Sequence, residues 1–288
     1  MTKSPFLACY TNLDRATDRN EVFLAECRRV SIDLERLSAV DGLEIPKDEA
    51  EELGNQASGM YPVGLGHIGC YLTHRKFWEM VADGQTPWGF ICEDDVHFSG
   101  DTARFLRSDE WLPGGFDLVK AETAFQRVIM SKQPAAQVNG HAIRTLYSNH
   151  GGTAGYFVSK AGAERLLELT DGKCDSVDQL MFNPQLGIAS KLAIAQIDPA
   201  LCVQDYLLAK SGQHAGLESL IDKLPLEFHA KNPSAAKPVG FERRVIKPLR
   251  KTGDFLNRTF GNLFTSRRHK KVPIEVGGVT YTASGGRT

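Results

Sequence analysis

No apolar run in this 288-residue chain reaches the roughly 18 residues that a membrane-spanning helix needs, which excludes a transmembrane reading. The N-terminal stretch has one lysine and a short apolar patch broken by Thr11, Asn12 and Asp14, so it lacks the blocks of a cleaved signal peptide. Six cysteines are scattered without a C-x-x-C pair. That leaves no zinc or dithiol pattern, and reduced thiols in a cytosolic protein are expected. No internal repeat of fixed period occurs. Net charge is nearly absent too, at -1, but the balance hides a division. Between His229 and Lys271, twelve Lys and Arg face only Glu242 and Asp254, a net +10 that leaves -11 for the remainder. Such asymmetry points to a body with one task and a tail with an anionic partner.

What is present reads as alternating strands and helices. FLACYTNL is a buried strand; the helix after it is capped by Asp14 or Thr17 and buries Val22, Phe23, Cys27 and Val30. LERLSAV (34–40) is a second strand closed by the turn Asp41-Gly42, with an acidic helix at 46–53. GHIGCYLTHRKFWEMVADG predicts a long helix ended by Gly84. WGFICEDDVHF, FDLVKAE, AGYFV and LAIAQIDPALCVQ supply further strands, and SKAGAERLLEL a capped amphipathic helix. The alternation predicts an α/β fold with a largely parallel sheet. Proline and charge density rise after Leu224, which divides a body at residues 1–224 from a basic extension at 225–288.

The most informative segment is Phe90-Ile91-Cys92-Glu93-Asp94-Asp95-Val96. Three consecutive carboxylates repel one another, and burying an unpaired one is costly. A divalent cation removes that cost. Carboxylate oxygens suit Mg²⁺ or Mn²⁺, with positions left open for a substrate's phosphates. Residues i and i+2 of an extended chain share a side, which turns Glu93 and Asp95 toward one site. A solvated turn with helix-capping acids is the plain alternative for this segment alone.

TNLDRATDR near the start, AVDG (39–42), GHIGCYLTHRKFW (66–78), ICEDDV (91–96), GTAGYFVSKAGAERLL (152–167) and SVDQLMF (176–182) occur in one order. As an ordered set they resemble glycosyltransferase family 25, which includes bacterial lipooligosaccharide galactosyltransferases and collagen galactosyltransferase domains. The resemblance implies a GT-A fold, a Rossmann-like domain that binds a nucleotide-sugar with Mn²⁺ (or Mg²⁺) held by a DxD-type motif. Here that motif is Glu93-Asp94-Asp95, with Asp95 the direct ligand, Glu93 its companion and Asp94 in the donor site. A cation bridging two phosphates stabilises the departing nucleoside diphosphate.

The segment Thr11 to Arg15 lies where base and ribose sit in such a fold. Asn12 or Asp14 suits ribose hydroxyls, and Arg15 or Arg19 suits phosphate charge, although Asp14 also reads as a helix cap. Thr73-His74-Arg75 matches the family's Ser/Thr-His-Arg element and brings His74 and Arg75 beside the donor; a histidine on an apolar helix face is otherwise structural. Lys120 and Glu122 end a strand on one side of it, either as a structural pair or as contacts to donor sugar or acceptor. In the glycine-rich GGTAGY, Gly152, Thr153 and Gly155 allow close approach of the sugar. An inverting transfer needs a base for the acceptor hydroxyl. Asp178 matches the family's VDxxM/F position, with helix capping as its alternative role and Glu122 as the reserve base.

These residues predict transfer of a hexose, galactose by resemblance, from a UDP-sugar to a saccharide or glycolipid acceptor of lipooligosaccharide or surface polysaccharide. A sugar nucleotidyltransferase would carry a Gly-rich loop where TNLDRATDR stands, and a non-catalytic sugar-binding scaffold would not need the acidic motif with Asp178. In the tail, Leu256, Phe260, Leu263 and Phe264 keep helical spacing among basic residues, after a break at Pro248. That predicts an interfacial helix on the anionic inner face of a membrane. No nucleic-acid module is recognisable.

Overall fold

The computed structural model describes residues 4–209, 266–283 and 286–287. The chain opens with β1 (Leu7–Asn12), α1 (Thr17–Val30) and β2 (Glu35–Ser38), in which β2 returns parallel to β1. Next come α2 (Lys47–Asn55), the long α3 (Leu65–Asp83) and β3 (Trp88–Glu93), which lies parallel to β1 on its other side. β4 (Val96–Phe98) and α4 (Thr102–Leu106) precede β5 (Leu118–Lys120), β6 (Arg127–Ser131), β7 (Ala136–Val138) and β8 (His141–Thr145). β9 (Gly155–Ser159) runs into α5 (Lys160–Leu169), whose first turn is capped by Ser159 accepting from Gly162 N at 2.9 Å. α6 (Val177–Phe182), β10 (Ile194–Asp198), β11 (Cys202–Gln204) and α7 (Asp205–Ala209) follow. β12 (Arg267–Lys271), β13 (Ile274–Val276) and β14 (Val279–Ala283) lie near the C-terminus.

Eight strands form one sheet in the order β2-β1-β3-β9-β5-β10-β8-β7. Six point one way, while β9 and β8 run against them. The dominant direction is the expected parallel one; β8 departs from it near one edge and β9 in the middle. β9 pairs antiparallel with both β3 and β5 because the chain enters it from the carboxyl edge of β3, where Glu93 N bonds to Ala154 O at 3.2 Å. Both faces of the sheet are covered, which explains why the first five residues of β3 are all buried. One face packs Ile91, Tyr156 and Val158 against Phe77 and Trp78 of α3 and Leu166 of α5. The other packs Phe90, Cys92 and Phe157 against Phe23 and Cys27 of α1 and Phe105 of α4. The result is a three-layer α/β domain around a largely parallel sheet.

Three details differ from the expectation. No side chain caps α1; Asp14 instead accepts from Arg36 at 2.6 Å and from Ser38 at 2.9 Å. Val22 is 52% exposed, because the buried stripe of α1 runs through Phe23, Cys27 and Val30. The third concerns the C-terminal extension. β12 pairs with β6, and Val272, Ile274 and Tyr281 are buried in the core that holds α3 and α5. Thr123 Oγ1 donates to Val272 O at 2.7 Å, and Ala200 N to Pro273 O at 2.8 Å. A boundary at Leu224 therefore assigns to the extension apolar residues that complete the body. The expected helix around Leu256–Phe264 lies outside the described residues. Among the described residues no helix is long and apolar enough to cross a membrane, and all six cysteines are free.

Candidate active site

β1 and β3 are neighbours with Thr11 opposite Glu93, so their carboxyl ends deliver Asn12 and the Glu93-Asp94-Asp95 turn to one edge of the sheet. Because β9 enters at that edge, Gly152 and Thr153 arrive beside them. The first turns of α3, the start of α6 and Gln204 at the end of β11 close a cleft around this group. Ligand crevices of open α/β sheets lie outside the carboxyl ends of strands, as here. The close approach of α3 depends on two glycines. A Cβ on Gly69 would stand 2.5 Å from Val40 O, and one on Gly42 would collide with Leu65 O. This contact fixes the 39–42 segment against α3 and explains Gly42 of AVDG and Gly69 of GHIGC.

The three acidic residues are held differently. Asp94 is spent on the protein: Asn12 Nδ2 donates to its Oδ2 at 2.7 Å, and Arg19 binds it through both Nε and a terminal nitrogen. Arg36 donates to Asn12 Oδ1 at 3.0 Å and completes this lattice. Glu93 accepts from Thr153 Oγ1 at 3.0 Å and from Gln204 Nε2 at 2.9 Å. Asp95 lies 3.4 Å from Arg19, and its buried Oδ1 meets no hydrogen-bond donor among the described residues. Burial, then the neighbouring Asp95 and Glu122, push the Glu93 carboxyl well up. Burial pushes Asp95 to about 6, against the opposing pull of Arg19.

Negative charge is thus under-compensated at Glu93 and Asp95, and one buried Asp95 oxygen is left without a donor among the described residues. Both features fit a divalent cation. No three His, Cys, Asp or Glu side chains among the described residues are grouped to hold one alone. Asp95 and Glu93 are the residues that would hold such a cation, supplying one or two of its ligands.

Asp178 faces the cleft from the first turn of α6 without capping that helix. It reaches across to accept from Gly152 N at 3.0 Å, and also accepts from Ser176 Oγ at 2.6 Å and Gln179 Nε2 at 2.8 Å. His74 lines the same cleft and is 1% exposed. Trp78 Nε1 donates to Tyr156 OH at 2.8 Å, so that hydroxyl gives its own proton to His74 Nδ1 at 2.9 Å. Burial holds His74 neutral with a pKa of about 4, which leaves its Nε2 as the protonated nitrogen.

Of the residues expected in the site, Asn12, Arg15, His74, Asp94, Gly152, Thr153 and Asp178 line the cleft with Glu93 and Asp95. Five do not. Asp14 is turned to Arg36 and Ser38. Arg75, one position round the helix from His74, is directed to Tyr71, Thr170 and Glu79. Lys120 and Glu122 are fully buried beneath the cleft, which removes Glu122 as reserve base. Gly155 lies inside β9, where a Cβ would collide with Cys202 Sγ; it serves packing, not a sugar. Asp41, Cys70 and Gln204 also line the cleft and are not among the residues expected from the sequence. Asp41 pairs with Arg15 and stands in the AVDG motif already noticed. Gln204 had no sequence signal, since it reaches Glu93 from 111 residues away.

The cleft at this sheet edge thus combines an acidic turn, a basic and amide lattice, and a carboxylate opposite. Residues 9–181 match the profile of glycosyltransferase family 25 (LPS biosynthesis protein), and the chain belongs to that family. It is 33% identical over 196 residues to the lacto-N-neotetraose biosynthesis glycosyltransferase LgtB of Neisseria gonorrhoeae, covering 64% of this chain and 69% of that one. It is 30% identical to the lipooligosaccharide biosynthesis protein lex-1 of Haemophilus influenzae, over 53% of this chain and 54% of the relative. Among solved structures, a glycosyltransferase involved in glycosylation of the major capsid of PBCV-1 aligns with 68% of this chain and 92% of its own. Its 12% identity and TM-score of 0.34 are too distant to inform the site.

Proposed function

We propose that this enzyme transfers a hexose, galactose in the first instance, from a UDP-sugar to a saccharide acceptor of lipooligosaccharide, with inversion and with Mn²⁺ or Mg²⁺. The observation that carries the reading is the convergence of Glu93, Asp95, the Asn12–Arg19–Asp94 lattice and Asp178 on one cleft. Asn12 and Arg15 meet ribose and phosphate, and Arg19 is kept in place by Asp94. Asp95 with Glu93 holds the cation, which when bound compensates charge on the leaving diphosphate. Asp178 takes the acceptor's hydroxyl proton as that oxygen bonds to the anomeric carbon and the sugar–phosphate bond breaks toward UDP. Three donors on Asp178 fix its orientation for that transfer. The names of the relatives support a lipooligosaccharide acceptor. The basic and apolar sequence at 241–264 supports a peripheral position on an anionic membrane, where such an acceptor is anchored.

Product NMR after incubation with a panel of UDP-sugars and lipooligosaccharide-derived acceptors tests the proposal. An α-linked UDP-sugar should be consumed to give a β-linked product. An α-linked product would remove inversion and the base role of Asp178, and failure to consume any UDP-sugar would reject the donor class.

A further inference from the structure

Lys120 and Glu122, at the end of β5, are both fully buried and neither lines the cleft. A buried ion pair is a weak stabilising device, since desolvation offsets most of its Coulomb attraction. Its contacts point to another use. Lys120 Nζ donates to Glu122 Oε1 at 2.7 Å and to the carbonyl of Gly152, and sits 3.8 Å above the centre of the Phe182 ring in α6. Glu122 Oε1 also accepts from Ala154 N at 3.0 Å. The absent side chain of Gly152 makes the fit possible, since a Cβ there would stand 2.7 Å from Glu122 Oε2. Buried backbone groups need partners, and these two side chains supply them on both sides of Thr153.

The gripped segment touches a carboxylate at each end of the site. Gly152 N donates to Asp178 Oδ2, and Thr153 Oγ1 donates to Glu93 Oε1, both at 3.0 Å. We infer that Lys120 and Glu122 are positioning residues: a buried clamp that sets the Gly152–Ala154 segment and, through it and Phe182, the placement of Asp178 relative to Glu93. Charged groups suit this task because their hydrogen bonds are shorter and stronger than neutral ones. The catalytic consequence rests on the transferase reading above; the clamp itself rests on geometry.

The test uses the full chain carrying Lys120→Met and Glu122→Met together, since replacing both partners of a buried pair by apolar groups of similar volume is often close to neutral, whereas removing one is strongly destabilising. Hydrogen exchange of the 150–155 peptide should quicken by about tenfold while other core peptides hold their protection. The kcat should fall by about tenfold or more, as expected for a displaced catalytic group. UDP affinity measured without a divalent cation should change little, because the Asn12–Arg19–Asp94 lattice does not touch the clamp. Lys120→Met with Glu122→Gln keeps an oxygen for Ala154 N but not the grip on Gly152, and should fall between that variant and the wild type. Wild-type exchange at 150–155 in either folded variant overturns the clamp, whatever the reaction; so does an unchanged kcat. A wild-type enzyme that turns over no UDP-sugar would instead overturn the transferase reading, with the exchange result still deciding the clamp.

Discussion

Gly152 carries two constraints at one residue. Its φ of +90° is a conformation that side-chain-bearing residues rarely adopt, and the Glu122 carboxylate fills the space a Cβ would need. Gly152→Ala is therefore expected to lower stability by about 1–3 kcal/mol and to disturb Asp178 through the shared hydrogen bond. Urea titration reads the first effect, and an unchanged midpoint would contradict it. Asp178 itself calls for a chemical probe. Asp178→Asn should leave UDP binding within a few fold by calorimetry while kcat drops by about 10²–10⁴, the worth of a positioned base. If affinity collapses and kcat holds, Asp178 binds donor and the base lies elsewhere.

Three elements meet at His97 of β4. Its Nε2 lies 2.6 Å from Asp205 of α7 and its Nδ1 3.8 Å from Glu26 of α1. Burial disfavours charge on the imidazole, yet Asp205 and Glu26 hold its pKa up to about 9. Burial likewise opposes charge on Glu26, and Arg29 with His97 holds its carboxyl down to about 2. A raised His pKa contributes stability that is complete below the unfolded value near 6.5 and lost as pH rises through about 9. A lowered Glu pKa contributes stability present above about 4.5 and lost as pH falls through about 2. Denaturation curves should therefore weaken by roughly 3 kcal/mol between pH 6 and pH 10, and His97→Gln should flatten that slope. A variant with the wild-type slope would contradict the assignment. The same elements mark what the sequence made legible. ICEDDV announced itself because charge follows a doubly buried strand abruptly. The direction of β9 left no trace, since alternation of apolar residues is the same whichever way a strand runs. The i, i+2 spacing of Lys120 and Glu122 does not say whether their shared side faces a cleft or the layer beneath it. β12 left no strand signal because all five of its residues are Arg, His or Lys, and it pairs with β6 from more than a hundred residues away.

At the scale of the whole chain, the C-terminal stretch has two parts with different physics. Residues 272–281 complete the core, so ending the chain at Leu224 should expose Phe125, Val128 and Met130, lower the melting temperature by several degrees and yield aggregating protein. Membrane attachment must therefore be probed by substitution. Neutralising Arg243, Arg244, Lys247, Arg250 and Lys251 should weaken flotation with anionic liposomes at low salt, since each cation near such a surface is worth about 1 kcal/mol. Equal flotation of that variant would remove the tail as anchor. The proposed function makes the cleft at the carboxyl edge of β1 and β3 a metal-assisted sugar-transfer site. Its most direct test is UDP release from UDP-sugar plus acceptor, measured for wild type and Asp95→Ala with Mn²⁺ and with chelator. The expected result is release by the wild type that needs Mn²⁺ and is abolished in a folded Asp95→Ala enzyme; undiminished, metal-independent release by that variant would contradict it.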